Sequence, residues 1–455
     1  MFENAVQFSV VASLIFSTMF LVYVVTIIIP FVRYKPSPSG DPSEFEWHLF
    51  VPCRDEEAVI GGTIDYLRAT FRHAHVWVID DHSEDATAAL TLQRASTDAL
   101  VHLIQRRLPF ARTGKGDALN TAYFQLNSEL GAHVRRSQIV VAVIDADGRP
   151  SANMLAAAAA ADAFGDSRVA GVQIEVRMVN REERRPLPQR GRVHNWLARQ
   201  LIRMQDLEFR APIAAIQLTR KYSRTVNLGG NGQLTRLSAL DSINTRFGAP
   251  WHGSLLEDYE LGLHLLLSGW RNVYTVSAWV DQEALPDVRR FLKQRTRWAQ
   301  GTMQCIKYLL PVWRSRRISN LGALEVSYFM VQPWLQLVGT FCYTLPMVVA
   351  VYSFATHPGW LSEFLSSGGW TLLAAYLIVG LGEFAIWGLL YRYRCERKAR
   401  WLTALGWGLG YVVYVISVYV VVWRAFARII TRRDGWAKTR RNAEDLRVGP
   451  VAREA

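Results

Sequence analysis

The sequence predicts an α/β domain on a mostly parallel sheet, joined to helical segments that cross a membrane or lie against it. Three observations carry that expectation. From residue 47 to about residue 310, short apolar and β-branched runs alternate with amphipathic stretches, the pattern of repeated strand–helix units. Some of these runs stop abruptly at carboxylates, as in VVAVIDADGRPS, residues 140–151, which is how a buried parallel strand meets a turn. Apolar stretches of membrane-spanning length flank the domain on both sides.

Composition supports a membrane-associated protein. The chain has 455 residues, 50% of them hydrophobic and only 20% charged, with 16 Trp, room for two domains or one domain and a membrane region. A net charge of +13 would suit nucleic acid. The Lys and Arg clusters at 389–400 and 424–441 instead lie beside apolar segments, as membrane-flanking charge does, so no nucleic-acid partner is expected. The four cysteines have no C-x-x-C spacing. Neither a disulfide framework nor a zinc site is indicated, and the polar region reads as intracellular.

In chain order, residues 1–34 read as an N-terminal anchor: 7–32 are apolar and Arg33 and Lys35 follow, which places the C-terminal end of the span in the cytoplasm. Residues 35–46 read as a Pro/Ser/Gly linker and 47–290 as a cytoplasmic α/β domain. HLFVPC (48–53), HVWVIDD (75–81), a run within 133–147 and RVAGVQIEVRMV (168–179) read as strands. Asp55-Glu56-Glu57 should open a helix, and the five alanines at 156–160 should lie in another. Residues 291–320 read as interfacial amphipathic helices, 321–430 as a C-terminal membrane region with apolar segments 320–356, 370–391 and 401–430, and 431–455 as a basic cytoplasmic tail. Charge puts the loop 392–400 inside and 357–369 outside. A single pass through 401–430 would then export the basic tail. Either that segment is re-entrant or interfacial, broken at GWGLG (406–410), or the tail leaves against the bias.

Five polar clusters stand in order on this chain. Asp80-Asp81 ends a strand. Arg112 to Gly116 is a basic, Gly-flanked loop suited to a nucleotide diphosphate. Asp145 and Asp147 sit at a strand's carboxyl end, where open α/β sheets place ligands, and their hard oxygens suit Mg²⁺ or Mn²⁺. Glu257-Asp258 starts an amphipathic helix behind NLGGNGQ (227–233), whose glycines let backbone approach a ligand. Gln294 to Trp298, QRTRW, lies in a basic amphipathic helix of the kind that rests on membranes. Singly each has an ordinary reading: a capping Asp, a loop, a solvated face.

Taken as an ordered set over roughly residues 45–300, D-D, D-x-D, E-D and Q-x-x-R-W resemble the family 2 inverting glycosyltransferases of GT-A fold, and more narrowly the membrane-integrated synthases of cellulose, hyaluronan and chitin type. The resemblance implies a GT-A nucleotide-sugar-binding domain. It implies that Pro52, Arg54 and Glu56 with Asp80 and Asp81 hold the donor nucleoside, and that Lys115 approaches its phosphates. Asp147 would bind the divalent metal, with Asp145 on the nucleotide or metal. Asp258 matches the catalytic base and Glu257 its neighbour; Arg297 would meet the diphosphate, Trp298 would lie beneath the acceptor sugar, and Gln294 completes the motif. Leu256 stands where the pattern has Thr, removing a hydroxyl from the acceptor side. Trp436 to Arg440 resembles a nucleotide-covering segment, and reads equally as a basic juxtamembrane tail.

The expected activity is transfer from a nucleotide sugar, a UDP-sugar first, to a growing β-linked polysaccharide at the plasma (inner) membrane, with export across it. The alternative is a non-processive transferase that makes a short glycolipid or lipid-linked sugar. A non-catalytic sugar-nucleotide binder or exporter is a third reading, against which the full set of acidic residues speaks. The partners expected are the nucleotide sugar, a carbohydrate or glycolipid acceptor and the bilayer; a second copy of the chain or an export partner is left open.

Overall fold

A computed structural model describes residues 2–131 and 133–433; the Trp436 to Arg440 segment and most of the basic tail lie outside the described residues. The domain is organised on one eight-stranded sheet in the order β3-β2-β1-β4-β7-β6-β8-β5. The strands are β1 (Glu46–Cys53), β2 (His75–Asp80), β3 (Val101–Gln105), β4 (Ile139–Val143), β5 (Arg149–Pro150), β6 (Val169–Met178), β7 (Gln233–Arg236) and β8 (Arg271–Gln282). β1 pairs in parallel with both β2 and β4, and β2 with β3. β7 runs antiparallel to β4 and β6, so the sheet is mixed but mostly parallel.

The central strands are apolar throughout because both faces are covered. Side chains alternate across the pleat. Leu49, Val51, Val76, Val78, Val140 and Ala142 enter one core, while Phe50, Trp77, Ile79, Val141 and Val143 enter the other. Helix α2 (Ile60–Thr70) covers the first face, next to α3 (Thr87–Ala95). α4 (Lys115–Glu129), α8 (Leu237–Phe247) and α9 (Glu257–Leu267) cover the second. The chain leaves β1 towards β2 and β3, then returns to β4 on β1's other side. That reversal opens a crevice at the carboxyl ends of β1, β2 and β4.

Several local expectations change. Asp55-Glu56-Glu57 do not open a helix; α2 begins at Ile60. Their backbone N–H groups go to Ser83 Oγ, Thr87 Oγ1 and Asp85 Oδ2 across the crevice, and Asp55 turns left-handed with φ 54. The alanine run gives only a short helix, α5 (Met154–Ala158), because the chain folds back to insert Phe164, 2% exposed, into the core. α9 is not amphipathic: Tyr259 through Leu267 are all buried.

Between β6 and β7 run α6 (Arg192–Glu208) and α7 (Ala214–Ser223), and after β8 come α10 (Val288–Gln304) and α11 (Leu309–Arg314). Four helices are long and apolar enough to cross a membrane by length and composition: α1, whose apolar span is Val6–Arg33, α12 (Asn320–Thr356), α13 (Trp360–Arg394) and α14 (Trp401–Ile430). GWGLG does not break α14, which is continuous through it. Its glycines instead permit close packing. A Cβ on Gly408 would lie 2.1 Å from the Ala385 carbonyl oxygen of α13, whereas one on Gly406 would meet nothing within 4 Å. Gly408→Leu should therefore lower the thermal midpoint of the detergent-solubilised protein, at a cost of about 1–3 kcal/mol. Gly406→Leu, two residues away on the opposite, open face of the helix, should leave it nearly unchanged in the same melt.

Candidate active site

The crevice brings the separate sequence clusters onto one another. Lys115 opens α4, and its ammonium lies 2.7 Å from Asp145 Oδ1 and 2.6 Å from the Gly230 carbonyl oxygen. A Cβ on Gly230 would sit 3.2 Å from Lys115 Nζ and 3.3 Å from Asp258 Oδ2. The loop 227–233 thus passes between the lysine and the carboxylate, and a side chain at 230 would press on both of them. On the next residue of α4, a Cβ on Gly116 would meet Glu257 Cβ at 3.4 Å. Lys115, Asp145, Glu257 and Asp258, read from three distant stretches, therefore share one site.

The turn after β4 is held from two sides. Asn231 Oδ1 accepts from the Asp145 N–H at 3.2 Å, and Asn231 Nδ2 donates to Gln282 Oε1 at 3.0 Å. Asp147, 9% exposed, accepts from the Glu283 N–H at 3.3 Å. Gln173 ties the loop down, accepting from Gly229 N–H at 2.7 Å and donating to the Asn231 carbonyl at 3.0 Å. Asn231 was visible in the sequence only as part of a loop, and Gln173 and Glu283 carried no local signal.

Charge follows from this geometry. Burial lowers the Lys115 pKa, but Asp145, then Glu257 and Asp258, outweigh it and hold the ammonium above the ordinary lysine value. Burial is the largest cause raising Glu257, followed by the charge of Asp258; Lys115 and Arg297 oppose them. Asp258 is raised too, chiefly by burial, although it accepts from the Tyr259 N–H at 2.8 Å at the start of α9. A half-buried acidic pair with raised pKa values, beside a lysine in a crevice, has the features of a site for proton transfer.

On the β1–β2 side, Pro52 pairs in register with Ile79. Arg54 Nε lies 3.7 Å from Asp55 Oδ2, and Glu56 is 5% exposed with its carbonyl accepting from Val59 and Ile60 N–H groups. Asp80 Oδ1 accepts from Ser83 N–H at 3.1 Å. Asp81 is ion-paired with Arg106 and accepts from the Arg112 N–H at 2.9 Å. Arg106 follows β3, whose half-polar VHLIQ carries little strand signal of its own, so nothing local in the sequence points to the approach of Arg106 to Asp81.

QRTRW lies on α10, with Gln294, Arg297 and Trp298 half-buried. Two residues apart on a helix means nearly opposite faces. Arg297 acts electrostatically on Glu257, whereas Arg295 turns away to Glu208, at 2.5 Å, and to Tyr414 OH, at 3.1 Å. The Trp298 ring meets Phe209 edge-on at 6.2 Å and lies under the Arg295 guanidinium at 4.4 Å. α10 is seated on the loop 255–258 at Gly301, where a Cβ would come 2.8 Å from Leu256 N and 2.7 Å from its Cγ. Gln304 Oε1 accepts from the Leu255 N–H at 3.1 Å. Leu256, the departure from the family pattern, is thus packed under α10.

No group of three or more His, Cys, Asp or Glu residues arranged to hold a metal ion is found among the described residues. Asp145 and Asp147 offer hard oxygens from one turn, which fits Mg²⁺ or Mn²⁺ completing its shell with diphosphate and water rather than with protein alone.

A mostly parallel sheet with an acidic crevice at its switch point, and a lysine inside it, is an arrangement suited to a ligand carrying phosphates. Residues 46–301 match the profile of the family described as "Glycosyltransferase like family 2", more than half of the chain, and the protein belongs to that family. It is 26% identical over 426 residues to a beta-monoglucosyldiacylglycerol synthase of Synechocystis sp., covering 89% of this chain and 77% of that one. Against the synthase of the same name from Trichormus variabilis the match is 26% over 263 residues, 56% of this chain and 48% of that one. Among solved structures, the mannosyltransferase PcManGT from Pyrobaculum calidifontis, in complex with GDP-Man and Mn²⁺, shares the fold with a TM-score of 0.53 at 15% identity, covering 91% of this chain and 98% of that one.

Two outcomes are expected. Gly301→Ala should push α10 from the 255–258 loop and lower the transfer rate by about tenfold or more, a misplacement effect, with nucleotide binding, read by titration calorimetry, unchanged. The raised pair should also give the rate an acid limb above the ordinary carboxylate range, since the base works only when deprotonated and protonation below that limb removes it. Burial and the charge of Asp145, rather than that of Glu257, raise Asp258, so Glu257→Gln should leave that limb of the pH–rate profile nearly in place.

Proposed function

We propose that this glycosyltransferase moves a sugar from a nucleotide donor, a UDP-sugar first, to the hydroxyl of a membrane lipid, giving a short glycolipid. The observation that carries this reading is the convergence of Lys115, Asp145 and Asp258 in a crevice whose wall, α10, is bonded directly to the apolar helix α14. The names of the relatives above, which specify a β-linked glucose on diacylglycerol, support the glycolipid product over the polysaccharide suggested by Q-x-x-R-W.

In this mechanism the Asp258 carboxylate takes the proton of the acceptor hydroxyl as its oxygen attacks the anomeric carbon. The bond to the diphosphate breaks on the opposite face, so one displacement converts an α-linked donor into a β-linked product. Lys115 and Arg297 meet the negative charge that develops on the departing diphosphate. Asp147, with Asp145, would hold Mg²⁺ or Mn²⁺, which when bound offsets part of that same charge. Pro52, Arg54, Glu56, Asp80 and Asp81 line the nucleoside end, and Trp298 offers a flat face to the acceptor. The domain faces the cytoplasm, from which the nucleotide sugar is drawn.

Purified full-length protein with diacylglycerol vesicles and labelled UDP-glucose, UDP-N-acetylglucosamine or GDP-mannose tests this reading. A discrete, solvent-extractable glycolipid is the expected product; a high-molecular-weight polysaccharide would return the reading to polymer synthesis. In the same assay Asp258→Asn should lose about 100-fold or more of the transfer rate, the range for a lost general base, while UDP binding persists. Turnover like that of the unaltered protein would remove Asp258 from the role of base.

A further inference from the structure

Length and composition make α14 a fourth membrane crossing, but its contacts do not. Near its start, the Arg203 guanidinium of α6 stacks on Trp407 at 5.2 Å. One turn on, Met204 Sδ is 3.4 Å from where a Cβ of Gly410 would stand. At mid-helix, Tyr414 OH donates to Glu208 Oε2 at 2.8 Å, and its ring lies 5.3 Å from Phe291 of α10. At its end, Arg428 Nε donates to Gln300 Oε1 at 2.6 Å. Gln300 is fully buried and adjoins Gly301, the residue seated on the catalytic loop. From Trp407 to Arg428 a helix rises roughly 31 Å, about the thickness of a bilayer's hydrocarbon core. A crossing helix would carry Arg428 to the far side of the membrane; here both ends of that span touch the catalytic domain.

α1 and α12 behave differently. The second half of α1 packs into a cluster with α7, where Val24, Ile27 and Phe31 are buried, and Phe8, Val11 and Ile15 further out are exposed. α12 meets α9 and α11 through Ala323, Val326 and Met330, while Met347, Val351 and Phe354 are bare. α14 crosses α12 between these two regions: Leu337 packs with Val422 and Ala425, and Trp423 Nε1 donates to Thr340 Oγ1 at 3.2 Å. That level is where the domain ends and the bare apolar stretch begins. The face of α14 turned from the domain carries Leu402, Leu409, Val413, Ile416, Val420 and Trp423, each at least 37% exposed and spaced at helical intervals. Exposed Arg397, Lys398 and Arg400 precede it, and exposed Arg432 and Arg433 follow.

We propose that α14 lies in the plane of the membrane, with this apolar stripe sunk into the leaflet on the catalytic domain's side and its flanking cations among anionic headgroups. The chain then crosses three times, through α1, α12 and α13, and the end of α14 stays on the side of the active site. This removes the conflict between the charge of the tail and a fourth crossing. It also makes α14 a membrane-resting clamp behind α10.

Single-cysteine labelling of the full chain in sealed vesicles of one orientation, on a Cys395→Ser background, tests this. Ser96→Cys reports the catalytic domain, Ser366→Cys the exposed first turns of α13 next to its connection with α12, and Thr431→Cys the end of α14. An impermeant maleimide should label Thr431→Cys only in the orientation that labels Ser96→Cys, with loss of labelling in the other. Labelling that follows Ser366→Cys would overturn the proposal. As a second reading, nitroxides at Leu402, Leu409, Ile416 and Trp423 should report one shallow depth in bilayers; a depth that peaks in the middle of the helix would equally overturn it.

Discussion

The contact on which the site depends is the ammonium of Lys115 between Asp145 and the Gly230 carbonyl. It joins the start of α4, the turn after β4 and the glycine loop before β7, with Asp258 on that loop's other side. Without that positive charge, Asp145, Glu257 and Asp258 would be like charges packed in a partly desolvated crevice, an arrangement that costs much and is otherwise relieved by protonation. The sheet supplies the remainder: reversal at β1 and β4 sets the strand ends side by side, and Gln173, Asn231 and Glu283 fix the turn that carries the two aspartates.

The second constraint is mechanical. α10 has the catalytic loop on one side and α14 on the other. Arg295 and Arg297 divide these duties, one to Glu208 and Tyr414, the other to the charge of Glu257. An acceptor drawn from a leaflet would meet the chemistry along this same helix, so the close approach at Gly301 couples what the membrane-facing helices do to where Asp258 stands. A lipid substrate and a lipid-resting helix behind the site are consistent with each other on physical grounds.

Much of this was legible in the sequence where the signal is local. HLFVPC and HVWVID are strands because apolar continuity suits a sheet covered on both faces, and Glu257-Asp258 does open a helix. What was not legible depends on partners far along the chain. β7 and the short, half-polar β3 exist because neighbouring strands are there to pair with, so Arg106 beside Asp81 could not be placed. The carboxylates at 55–57 looked like a helix start, yet their backbone is drawn across to the loop after β2. GWGLG looked like a break, yet its glycine at 408 is the surface on which α13 packs. Composition marks α14 as a span; only its partners, Arg203, Glu208 and Gln300, tell where it lies.

An experimental structure with UDP and Mn²⁺, the ion located by anomalous scattering, tests most directly whether the Lys115–Asp145–Asp258 crevice is the donor site. The account predicts an anomalous peak at the Asp147 carboxylate, with the diphosphate within hydrogen-bond reach of Lys115. A nucleotide bound elsewhere, with Lys115 still held between Asp145 and Gly230 and no peak at Asp147, would contradict it.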